Sequence, residues 1–145
     1  LESMNYLVSE GNFVRLSDHQ IQFSDKQRDN INAVLTTLAD NMYSPPSITE
    51  LNQIAGEAVI RALIDLKEII NINDDIVFSN TAYETIVHTV LEHIDHHDSI
   101  DAKALRDALD TSRKYAIAIL EHLDSLGITQ RIGDVRKRGR NAPAS

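Results

Sequence analysis

The residues best equipped for chemistry in this chain lie in Thr111-Ser112-Arg113-Lys114-Tyr115 and in a second set, Arg131, Arg136, Lys137 and Arg138. Two hydroxyls and two cations open a helix-forming run at 111–115. That combination binds anions, because the free backbone N–H groups and the dipole at a helix N-terminus already favour phosphate. The charge distribution singles out the same region. Residues 1–110 hold 7 Lys and Arg against 19 Asp and Glu, whereas residues 111–145 hold 7 against 3, in a chain of net charge −8. A basic segment in an acidic chain is the electrostatic footprint for a polyanion, nucleic acid foremost.

Other chemistries find little support. The sequence has no phosphate-binding loop, no nucleophile elbow and no metalloprotease helix motif, and its many carboxylates are spread along amphipathic helices. No enzyme activity and no cofactor is expected of this chain. It holds no cysteine, which excludes disulfides and thiolate-bound metal. His93, His96 and His97 fall at i, i+3 and i+4, a spacing that can reach one metal, but they read as the polar face of a surface helix and no metal site is assigned. No apolar run is long enough to suggest a membrane span. The chain is expected to work in the cytoplasm, as a monomer, and as a fragment of something longer.

These residues need a scaffold, and a repeat supplies one. Phe23-Ser24 and Phe78-Ser79 lie 55 residues apart, and each opens a long helical pattern. After Ser24, with Gln27 completing a capping box, Ile31, Val34, Leu35 and Leu38 recur at helical spacing. Pro45-Pro46 ends that helix. A short helix over about 48–54, a turn at Gly56, a third helix carrying Val59, Ala62, Leu63 and Leu66, and a hairpin around Asn73-Asp74-Asp75 complete the first set. The second set repeats the order. Ser79 or Thr81 opens a helix, Asp101 caps a short one, and Thr111 caps a third that Gly127 ends. A two-residue turn at Gly133-Asp134 closes the last hairpin.

Three helices followed by a β-hairpin is the winged-helix arrangement, a helix-turn-helix variant. The expected fold is mainly α with small β-hairpins, in tandem winged helices over 24–79 and 80–140. Residues 1–23 read as the helix tail and wing of a preceding winged helix, and 141–145 as a tail. In a helix-turn-helix the second helix of the pair presents its N-terminal residues to nucleic acid. In the last repeat that is the helix starting at 111–115, with the wing adding its four cations. Side chains alternate along a strand, so Arg136 and Arg138 point one way and Lys137 the other. Tyr115 is placed either to stack on an unpaired base or to pack. The first repeat carries Glu57, Asp65, Glu68, Asp74 and Asp75 and reads as a spacer that positions the second, with Arg61 its one candidate phosphate contact.

Thr111-Ser112-Arg113-Lys114-Tyr115-Ala116, then Leu120-Glu121-His122-Leu123-Asp124, then Thr129 through Arg136, resembles the C-terminal winged helix of SelB, the bacterial selenocysteine-specific elongation factors. Glu10-Gly11-Asn12-Phe13-Val14-Arg15-Leu16 is similar to an element common in that family's wings. Asp110 stands where the family often has glycine, and Ala118 where it often has proline. The resemblance implies that the chain binds a hairpin in selenoprotein mRNA, the SECIS element, and so places selenocysteyl-tRNA delivery at a UGA codon. It implies contacts through Thr111, Ser112, Arg113, Lys114, Tyr115, Arg131, Arg136, Lys137 and Arg138. The ribosome, selenocysteyl-tRNA and GTP would be engaged through the rest of such a factor. The alternatives are a DNA-binding winged-helix regulator, which would read a major groove with base-matched side chains, and a protein-interaction module built on the acidic first repeat.

Overall fold

A computed structural model describes residues 23–143. The expected winged-helix elements at 1–22 lie outside the described residues. The described residues form six helices and two antiparallel hairpins in the order helix, helix, helix, hairpin, twice over.

Local rules explain most element ends. α1 (Asp25–Asp40) begins with a reciprocal cap: the Gln27 N–H donates to Ser24 Oγ at 3.1 Å and the Ser24 N–H to Gln27 Oε1 at 2.9 Å. α2 (Ile48–Ala55) has the same device in Ser47 and Glu50. Gly56, at φ 88°, makes the one-residue corner into α3 (Glu57–Asp65). β1 (Ile69–Asn71) and β2 (Val77–Ser79) pair with Ile70 opposite Phe78. Their loop is tightened by Asn73 Oδ1, which accepts from the N–H groups of Asp75 and Ile76, both at 2.8 Å.

Ser79 ends β2 and also caps α4 (Asn80–His97), accepting from the Ala82 N–H, so no linker separates the two repeats. Asp101 caps α5 (Ala102–Leu109). α6 (Arg113–Leu126) ends at Gly127, φ 75°. β3 (Thr129–Ile132) and β4 (Val135–Arg138) pair around Gly133, and a single bridge ties Ile100 to Arg136. Thr111 does not cap α6 as expected. Ser112 occupies the cap position without a side-chain bond, and the Thr111 hydroxyl donates to the Tyr43 carbonyl.

Each repeat has its own apolar core, and β2 belongs to both. Val77 packs with Val34, Leu38, Leu51, Leu63 and Ile69. Its neighbours Ile76 and Phe78 pack with Ile86, Ile119, Leu120 and Leu123. Strand alternation sends adjacent side chains to opposite faces, so one short strand fills two cores. Met42 and Tyr43, from the end of α1, also lean on the second core.

Phe78 is fully buried. Phe78→Ala is therefore expected to cost about 3–5 kcal/mol. Urea unfolding monitored by circular dichroism checks this. Because the lost ring belongs to the second core while its strand closes the first, both repeats are expected to melt in one transition that shifts as a whole.

Candidate nucleic-acid interface

The start of α6 is an exposed cationic feature of the fold. Asp110, in the left-handed region at φ 53°, turns the chain out of α5. Aspartate tolerates that conformation better than most residues. The first N–H groups of a helix have no partner further back along it. The Ser112 side chain takes none of them, and Ser112, Arg113 and Lys114 are all exposed. Lys114 Nζ lies 3.7 Å from Asp75 Oδ2 in the β1–β2 loop and 5.5 Å from the centre of the Tyr115 ring.

Thr111 and Tyr115, which bracket this segment, turn toward the first repeat. The Thr111 hydroxyl donates to the Tyr43 carbonyl at 2.6 Å and lies 2.9 Å from Ser44 Oγ. The Tyr115 hydroxyl donates to the Pro45 carbonyl at 2.7 Å, and its ring meets Phe78 edge-on at 6.4 Å. Of the two expectations for Tyr115, packing is what the structure shows.

The wing differs more from expectation. Arg136 and Arg138 do share a face, but that face turns inward. Arg136 has only 7% of its side chain exposed, and its Nε and Nη2 both lie 3.2 Å from Asp124 Oδ2. The other Asp124 oxygen accepts from the Thr129 hydroxyl at 2.6 Å, so one carboxylate on α6 holds both wing strands. Arg138 meets Asp95 on α4 through Nε at 2.8 Å and Nη2 at 3.2 Å, and that bond favours its charged form. Lys137 Nζ reaches Asp98 at 2.7 Å. Arg131, near the turn, is exposed, with its Nε on the Gly133 carbonyl at 2.9 Å. Ile132 beside it is 49% exposed, an apolar side chain at the wing tip that the sequence reading did not single out.

The site that remains outward is thus Ser112, Arg113 and Lys114 with Arg131 of the wing. Arg136 is an internal brace. Sequence reasoning also missed Asp75 and the loop at 43–45, since both lie far along the chain from α6. The comparable cation of the first repeat, Arg61, stands 3.9 Å from Glu57 on the same helix.

Elsewhere, burial lowers the pKa of His122 despite an opposing hydrogen bond that its ring donates to the Ile72 backbone carbonyl. A neutral ring suits its 3.0 Å contact with the Tyr83 hydroxyl, whose own pKa burial raises. The His93 and His97 rings lie with centres 4.4 Å apart, tilted by 34°. Among the described residues no three His, Asp or Glu side chains converge as a metal site, and no helix is long and apolar enough to cross a membrane.

The fold is a tandem winged helix, a helix-turn-helix variant, whose last helix starts on exposed cations. The comparisons with known proteins are narrower. Residues 92–138, from late α4 through the wing, match the family model described as elongation factor SelB, winged helix. A selenocysteine-specific elongation factor of Desulfomicrobium baculatum is 27% identical over 137 residues, covering 90% of this chain and 22% of its own length. The mRNA-binding domain of Escherichia coli SelB, solved in complex with SECIS RNA, superposes with a TM-score of 0.62 at 23% identity, covering 81% of this chain and 99% of that one. A bacterial selenocysteine-specific elongation factor, EF-Sec, gives 0.65 at 18% identity, covering 88% of this chain and 20% of that one. The match to a SelB-type winged helix thus covers residues 92–138, and the chain spans about a fifth of the length of the curated relative.

The burial of Arg136 separates brace from surface. Arg136→Ala strands Asp124 without its cation and is expected to cost about 3 kcal/mol, the low end for breaking a buried pair. Arg113→Ala is expected to change stability by less than about 0.5 kcal/mol. Thermal melts of the two variants check the contrast.

Proposed function

We propose that this chain is the mRNA-gripping part of a selenocysteine-specific elongation factor. In this reading its second winged helix holds the SECIS hairpin of a selenoprotein message and so places selenocysteyl-tRNA delivery at a UGA codon. The observation that carries the reading is the coincidence of two independent features: the SelB family match ends on the wing, and the same stretch contains the outward cationic start of α6.

The contacts fall to Ser112, Arg113 and Lys114 at the helix start and to Arg131 at the wing. Phosphate would meet free N–H groups, a hydroxyl and two cations together there. Lys137 and Arg138 reach RNA only by sharing or exchanging Asp98 and Asp95, and Thr111, Tyr115 and Arg136 act from inside the fold. The span 80–140 binds and 24–79 supports it. Ribosome, tRNA and GTP belong to the remainder of the factor, which works as a monomer in the cytoplasm. The chain itself needs no cofactor and catalyses nothing.

Filter binding of the purified chain to a bulged RNA hairpin, with duplex DNA as competitor, tests this. With about three or four phosphates neutralised, log K is expected to fall against log salt with a slope of roughly −2 to −4. Arg113→Ala is expected to cost about 1–3 kcal/mol of binding and Arg61→Ala much less. Duplex DNA competing as well as the hairpin would favour a DNA-binding regulator. A larger loss from Arg61→Ala would move the site to the first repeat.

A further inference from the structure

The three exposed residues at the start of α6 are pinned on both sides to the other winged helix. Thr111 precedes them and Tyr115 follows them, and both donate to main-chain carbonyls of a single loop, at Tyr43 and Pro45. Ser44 between those two adds its hydroxyl to Thr111. The acceptors are fixed from their own side. Pro45 is buried, and Pro45-Pro46 locks two successive φ angles. The ring of Tyr115 is set by Phe78, from the strand that both cores share. Bonds converging at both ends of one exposed helical turn leave that turn little freedom. A binding segment that is already ordered loses less entropy when its ligand arrives.

We propose that the Tyr43–Pro46 loop of the first winged helix is the positioning element of the RNA grip, and that Thr111 and Tyr115 are positioning residues that do not touch RNA. The proposal rests on the RNA-binding reading above. It gives the acidic first repeat a defined part: it sets the direction and order of Ser112, Arg113 and Lys114. Tyr115 and Thr111 serve that part through hydroxyls that point away from the ligand, into the neighbouring repeat.

The test uses the whole chain and a bulged RNA hairpin. Four proteins are compared: the wild type, Tyr115→Phe, Thr111→Val, and the double variant Pro45→Gly/Pro46→Gly. Tyr115→Phe keeps the ring, and the loop variant changes no residue of the second repeat and no charge. Each is expected to weaken hairpin binding about two- to tenfold, the range for one net hydrogen bond. The slope of log K against log salt is expected to stay at the wild-type value, since no cation is lost. Without RNA, amide exchange at 112–114 is expected to quicken in all three variants.

Hairpin affinity equal to wild type in Tyr115→Phe and in the loop variant, with melting temperatures lowered, would show that these bonds hold the fold only and overturn the proposal. So would a loss confined to Tyr115→Phe with the loop variant binding normally, because the tyrosine hydroxyl would then be meeting RNA itself. A wild type that binds no hairpin at low salt would overturn the RNA reading and this proposal with it, an outcome told apart from the others by the wild type alone.

Discussion

The arrangement depends on one strand that has no solvent side. β2 sends Val77 into the first core and Phe78 into the second, where Ile76, just before the strand, also packs. A strand buried on one face can shift or twist to suit its sheet, but one buried on both must satisfy two cores in one register. Ser79 adds a second constraint by ending the strand and capping α4 in the same residue. The second winged helix therefore starts at a fixed point and in a fixed direction. The contact of α6 with the loop at 43–45 and the approach of Lys114 to Asp75 both follow from that start.

Electrostatics then narrows the basic surface. The wing is stapled to the helices by Arg136 to Asp124, Lys137 to Asp98 and Arg138 to Asp95. These pairs are unequal. Arg136 is enclosed and makes its pair in a region of reduced solvent screening, where removing one partner is costly. Lys137 meets an Asp98 that is 86% exposed, a pair of the kind that contributes little and weakens with salt. The charge count overstates the cationic surface on offer to a ligand, because part of the basic wing serves to hold the wing in place. Arg131 stays outward on the wing, and Arg113 and Lys114 stay outward at a helix N-terminus, where a given charge favours an anion most.

Much of the scaffold was legible in the sequence because it follows short-range rules. The caps at Ser24, Ser79 and Asp101, the stop at Gly127 and the turn at Gly133 depend on residues a few positions apart. The alternation of Arg136 and Arg138 against Lys137 was legible as well, but not which face turns inward, since period two gives the faces and not their surroundings. Thr111 has the chemistry of a cap, but Ser112 holds that place and the Thr111 hydroxyl bonds Tyr43, 68 residues away. The shared strand was hidden for a similar reason. Ile76-Val77-Phe78 reads as one buried apolar run whether it is enclosed by one core or by two.

Amide NMR of the nitrogen-15-labelled chain, titrated with a bulged RNA hairpin, addresses the central claim directly: that the turn opening α6, held from behind by the first winged helix, is the nucleic-acid surface. The account predicts the largest shifts at residues 112–114, smaller ones at 130–133, and little change along α2 and α3. Shifts centred on α3 around Arg61, or spread evenly over both repeats, would contradict it.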